Sequence, residues 1–155
     1  MNVLAIDPGN VYSAYAIIDT DYNLLAKGKV KNRVLETKIK RSPNRFDVVV
    51  IEMIASYGMA VGETVFETCV EIGRLMVLSE LQSKPVERIK RIEVKMNLCH
   101  QTRAKDSNII QALKDRFGEV GRKNSPGYFY GVSKDMWQAI ALGVTYIDRL
   151  KGTQY

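Results

Sequence analysis

The sequence predicts a mixed α/β domain, a five-stranded sheet flanked by helices. Two observations carry this. Residues 3–6, 12–18 and 24–30 form three apolar, strand-like runs joined by short turns, the pattern of an antiparallel meander. From residue 32 onward, strand-like runs alternate with helical periodicity, which places further strands beside the meander with helices packed on the sheet. At 155 residues the chain is read as one domain, 1–155, long enough to bury a core.

The first strand, residues 3–6, is a continuous run of apolar residues and ends on Asp7, followed at once by Pro8-Gly9. Pro8-Gly9 lets the chain turn away, and Gly9 permits a backbone conformation that other residues avoid. The second strand is 12–18, and the polar stretch DTDYN turns it into the third, 24–30. Residues 32–41 read as a short basic helix, with Leu35 and Ile39 one turn apart, broken by Ser42-Pro43-Asn44. The run DVVVI, 47–51, is a central strand, and it too meets a carboxylate, Glu52.

Residues 62–82 read as a long helix. Val61, Val65, Cys69, Ile72 and Met76 recur at helical spacing, and Phe66, Val70 and Leu75 widen the stripe. Residues 86–94 read as a fifth strand, with imperfect alternation. Residues 106–117 form an amphipathic helix stopped by Gly118. The stretch 118–131, with four glycines, Pro126 and three aromatics, reads as loop. Ser133 is the expected N-cap of a last helix, 134–150, whose Ala139, Ala141 and Gly143 suit close packing on a sheet.

Composition excludes several classes. No apolar run approaches the ~20 residues that span a bilayer, and no signal-peptide pattern opens the chain. Cys69 and Cys99 have no CxxC spacing, so reduced thiols and a cytoplasmic location are expected. The net charge of +6 is concentrated: residues 84–123 hold eleven Lys/Arg against five Asp/Glu, an excess of six. A local basic excess favours a polyanionic partner, nucleic acid or an anionic surface.

Asp7 and Glu52 stand at the ends of the two most apolar strands. Read singly, the first is a turn carboxylate and the second a surface residue past a strand end. Were the two strands adjacent and parallel, both would emerge at one sheet edge. Two carboxylates held together repel, and a hard divalent cation relieves them with oxygen ligands. A third acid, Asp135, lies in the first turn of the last helix, with Gln138 on nearly the same face.

The strings AIDPG on strand one and VVVIE on strand four, a basic segment, and DMWQAIAL on the last helix, in that order, resemble the RuvC family of Holliday-junction resolvases. The resemblance spans nearly the whole chain and is closest to a phage-encoded RuvC-like protein. It implies an RNase H-like fold and a homodimeric, metal-dependent endonuclease acting on four-way junctions and other branched DNA, in the cytoplasm of a bacterial host. The implied cofactor is Mg²⁺, with Mn²⁺ able to substitute, and no nucleotide or membrane is involved.

By matching position, Asp7, Glu52 and Asp135 resemble three metal-binding acids, while Gln138 stands where the family has a fourth. Lys95 and Lys105 resemble lysines near the scissile phosphate. Arg91 precedes Lys95 by one helical turn or four strand positions. It joins Arg103, Arg122 and Lys123 as candidate phosphate contacts. Tyr57 lies two residues past Ala55, the position nearest the family's base-stacking aromatic; it serves as that wedge or packs on the domain. Helix 62–82 is the candidate dimer interface. Two rivals remain: an actin-like or sugar kinase, for which the chain supplies only one of two domains, and a branched-DNA binding module without catalysis, which Gln138 keeps open.

Overall fold

The computed structural model describes residues 1–153. Its sheet has the strand order β3-β2-β1-β4-β5, where β1 is Asn2–Asp7, β2 Tyr12–Asp19, β3 Leu24–Lys31, β4 Val48–Met53 and β5 Val86–Lys90. The meander β1-β2-β3 is antiparallel, and β4 and β5 run parallel to β1. The strands carrying Asp7 and Glu52 are therefore neighbours and parallel. A sheet of both kinds, with helices on each face, is the predicted fold class.

Alternation along the strands divides the core in two. Val3, Ala5, Ala14, Ala16, Ile18, Val48, Val50 and Ile89 face α5 (Met136–Lys151). Leu4, Ile6, Ile17, Val49 and Ile51 face α1 (Asn32–Arg41) and α2 (Glu63–Leu81), through Leu35, Ile39, Ile72 and Leu75. Helix α5 lies close on its face because its residues there are small. A Cβ added to Gly143 would stand 2.9 Å from Ile18 Cδ1 and 3.2 Å from Ala5 Cβ.

The structure corrects four local readings. The expected strand 86–94 ends at Lys90, and helix α3 (Arg91–Cys99) follows. The Glu93 carboxylate accepts the Lys90 backbone N–H at 2.7 Å, closing the first turn of a helix where the apolar pattern was ambiguous. Arg91 and Lys95 are thus one helical turn apart. The stretch 118–131 is not plain loop. It follows α4 (Asp106–Phe117), holds a small hairpin, β6 (Gly121–Arg122) and β7 (Ser125–Pro126), and buries Phe129 completely.

The last helix begins at Met136 with Asp135 at its N-cap; Ser133 instead accepts the Met136 N–H in the preceding turn. Finally, α2 turns Thr68, Glu71, Ile72, Leu75 and Ser79 inward, while Phe66, Cys69, Val70, Val77 and Leu81 are exposed. The stripe read from spacing mixed these two faces. Burial and the adjacent Glu36 push the Glu71 carboxyl up to about 7.

Candidate active site

Sheet register brings the first two acids together. Ile6 pairs with Ile51, so Asp7 and Glu52 are next in register on adjacent strands. Both follow the alternation of Val3, Ala5, Val48 and Val50, and so both project to the α5 face. Across β2, Asp7 pairs with Ala14 and Ala14 with Lys29. One row thus reads Lys29, Ala14, Asp7, Glu52. Helix α5 delivers Asp135 over the same face, where Lys29 Nζ donates a hydrogen bond to Asp135 Oδ2.

The turn behind Asp7 is fixed by three hydrogen bonds. Gly9 N–H donates to Ser13 Oγ at 3.2 Å, Ser13 Oγ–H to Asn32 Oδ1 at 2.8 Å, and Asn32 Nδ2–H to the Gly9 carbonyl at 2.9 Å. Glycine is required at position 9 by close approach, since a Cβ there would lie 2.2 Å from the Tyr12 carbonyl oxygen. Its φ is not positive, so it is the close approach and not the backbone angle that calls for glycine here.

Burial first, then the charges of Glu52 and Asp135, push the Asp7 carboxyl from 3.8 up to about 7. Burial also raises Glu52, against the pull of Arg91, whose Nη1 lies 3.1 Å from Glu52 Oε1. Burial opposes the Arg91 charge, yet Glu52 and Asp106 outweigh it and hold the guanidinium above its ordinary range. Arg91 Nη2 reaches Asp106 Oδ1 at 2.7 Å, so this one side chain ties β4 to the start of α4.

This charge arrangement has a consequence for stability. Folded Asp7 holds its proton up to about pH 7, whereas in the unfolded chain it releases it near 3.8. The folded state therefore binds more protons between these values, and the Asp7 contribution is fully present below about pH 4 and lost as pH rises through 7. Without divalent ions, Asp7→Asn is expected to be more stable than wild type at pH 8 by about 1–3 kcal/mol, with the difference vanishing near pH 4. Because Glu71 titrates in the same window, the check is the difference between variant and wild type in urea melts across pH. A constant difference would refute it.

The remaining expected site residues distribute unevenly. Lys95 is close enough for its charge to act on Glu52. Lys105 is the exposed N-cap of α4, next to Asp106, and Arg103 is exposed in the turn before it. Tyr57 is exposed in the loop between β4 and α2, in a left-handed conformation with φ 50°. Gln138 is buried one turn into α5 from Asp135. Arg122 and Lys123 are exposed on the small hairpin. Its base is rooted by Tyr128, which stacks on Phe117 and donates to the Tyr22 carbonyl, in the β2–β3 turn. That is the sheet end opposite Asp7, so these two do not join the acid edge.

Sequence reasoning missed Lys29 and Asp106. Lys29 is one of three lysines alternating along β3, and only the register with Ala14 and Asp7 singles it out. Asp106 was visible only as a helix-start acid.

By sequence, no protein-family model and no curated protein matches the chain. Solved structures do. Thermus thermophilus RuvC superposes with a TM-score of 0.73 at 18% identity, covering 99% of this chain and 98% of that one. This chain has the RuvC fold. T. thermophilus RuvC in complex with a Holliday junction substrate gives a TM-score of 0.76, again at 18% identity, covering 99% of this chain and 97% of that one. The Fowlpox virus resolvase, in complex with Holliday junction DNA, gives 0.58 at 16% identity, covering 95% and 99%. The RuvC-like fold thus extends over the whole length of each partner in these comparisons.

Among the described residues, no three His, Cys, Asp or Glu side chains stand close enough to enclose a metal ion. Glu52 is drawn toward Arg91 and Asp135 toward Lys29. The donor set nevertheless fits a hard divalent cation. Asp7, Glu52 and Asp135 offer oxygen donors only, and the charges of Glu52 and Asp135 oppose ionisation of the buried Asp7, a repulsion that a dication relieves when Asp7 gives up its proton. Among the described residues, no helix is long and apolar enough to cross a membrane.

Proposed function

We propose that this chain is a RuvC-type endodeoxyribonuclease that resolves Holliday junctions, and other branched DNA, by hydrolysing phosphodiesters as a homodimer in the cytoplasm. The observation that carries the reading is the row of Asp7 and Glu52 on a RuvC-like sheet, with Asp135 brought over it by α5. The structural neighbours bound to Holliday junction DNA supply the substrate class.

Asp7, Glu52 and Asp135, with the Gln138 amide oxygen, would hold Mg²⁺ or Mn²⁺. The bound ions would supply an activated water and stabilise the leaving oxygen. Arg91 positions Glu52 through its bond to Asp106. Lys95 and Lys105 offset charge that develops on the phosphate. Arg103 contacts the backbone without reading sequence, and exposed Tyr57 offers a face on which an unpaired base stacks. Arg122 and Lys123 would meet a DNA arm away from the cut.

The test is nicking of a four-way junction with Mg²⁺ or Mn²⁺. Symmetric paired nicks support the reading, and junction binding without cleavage in every metal overturns it in favour of a binding module. Gln138 is the feature that favours that second reading, because an amide neutralises no charge. Gln138→Asp is accordingly expected to tighten Mn²⁺ binding about tenfold in calorimetry. Unchanged affinity would remove Gln138 from the metal site.

Paired nicks need two sites at fixed separation, which a two-fold dimer provides. Helix α2 offers the surface: Phe66, Val70, Val77 and Leu81 follow one another at helical spacing, each about half exposed or more, with Gly73 between them. Val77→Asp is expected to convert the dimer to monomer in sedimentation velocity and to replace paired cuts by single nicks. A dimer that survives the substitution would place the interface elsewhere.

A further inference from the structure

We propose that Lys29 is a built-in counter-ion of the acid cluster, held in an ion pair with Asp135 that a divalent cation must break, so that this lysine sets how much metal the site requires. The inference rests on the metal-site reading above and adds a residue to it.

Lys29 comes from β3, a strand that contributes no acid to the site. In the cross-strand row only the small, buried Ala14 lies between Lys29 and Asp7. The Lys29 side chain is one-third exposed and Asp135 about half exposed, so the pair sits at the mouth of the site. The Lys29 charge also acts on Asp7, two strands away. One ammonium therefore partly neutralises two of the three acids.

The opposite end of the row is built differently. Arg91 holds Glu52 but is anchored by a second bond to Asp106 at 2.7 Å, which makes it a fixed clamp. Among the described residues, the ion pair of Lys29 is with Asp135. Lysine is a point charge on a flexible stem, so it can leave the carboxylate while its backbone stays in the sheet. A dication placed among Asp7, Glu52 and Asp135 would repel this ammonium and compete with it for the same oxygens. Lys29 acts through Asp135, and is a positioning residue in that sense.

Mn²⁺ binding at pH 8 without DNA, measured by calorimetry and by electron paramagnetic resonance, tests this. Lys29→Met is expected to bind Mn²⁺ at least about tenfold more tightly than wild type. Lys29→Arg, which keeps the charge, is expected to stay within about twofold. A gain in affinity is not what a misfolded variant shows, so the readout separates this role from a structural one. Asp7→Asn, measured alongside, is expected to lose the binding and so to identify the site being titrated. Equal or weaker Mn²⁺ binding by Lys29→Met would overturn the role of Lys29 alone. Absence of Mn²⁺ binding by the wild type would overturn the metal-site reading and this inference with it.

Discussion

Asp7→Asn is expected to lower junction cleavage by roughly 10³-fold or more while leaving junction binding within a few-fold of wild type. Asp7 occupies the centre of the row, between Lys29 and Glu52, and feels the charge of every other acid in the site. The amide is isosteric, so the turn held by Gly9, Ser13 and Asn32 should survive. What disappears is the central anionic ligand. Backbone phosphates would still meet Lys95, Arg103 and Lys105, so affinity persists with its usual dependence on salt. A loss of that size with folding intact, and indeed with the added stability expected at pH 8, separates a functional carboxylate from a structural one. Cleavage reduced less than tenfold would remove Asp7 from the chemistry.

The second large effect is structural. Asp148 lies near the far end of α5, about 20 Å along the helix from Asp135, and is completely buried. Its carboxylate accepts from Arg116 Nη1 and Nη2 at 2.9 and 2.7 Å, from Tyr22 Oη–H at 2.7 Å and from Asn97 Nδ2–H at 2.7 Å. One side chain thus joins α5 to α4, to α3 and to the β2–β3 turn. Removing the carboxylate takes two charge-assisted bonds from Arg116 and the buried acceptor from Tyr22 Oη–H and Asn97 Nδ2–H, and breaking one side of a buried ion pair is strongly destabilising. Asp148→Ala is expected to destabilise the fold by about 3–5 kcal/mol in urea unfolding, with metal-dependent chemistry unaltered in the folded fraction. A loss below about 1 kcal/mol would show that the network is replaceable by water.

Much of this architecture was legible in the residues. Continuous apolar runs fix β1 and β4 as central strands, and β1 and β4 proved parallel neighbours. Helices α1 and α4 begin and end where their turn residues place them. Other features depend on tertiary context. The sequence RIEVK alternates well enough for a strand, and the Lys90–Glu93 contact that makes it helical is not a pattern of residue types that capping usually employs. In α2, Glu71 is buried and Phe66 exposed, an inversion that spacing alone cannot reveal because both faces carry apolar residues. The candidate site divides in the same way. Asp7 and Glu52 announce themselves by ending apolar runs, whereas Lys29 enters only through cross-strand register, and the hairpin carrying Arg122 and Lys123 is rooted by the β2–β3 turn, away from Asp7.

The central claim is that Asp7, Glu52 and Asp135 close around a divalent ion. Diffraction from a crystal soaked in Mn²⁺, collected at the manganese absorption edge, tests it most directly. The expected result is an anomalous peak with oxygens of all three side chains about 2.0–2.3 Å away and Lys29 displaced from Asp135. Manganese bound only at other residues, with Asp7 left facing Glu52 and no ion between them, would contradict the account.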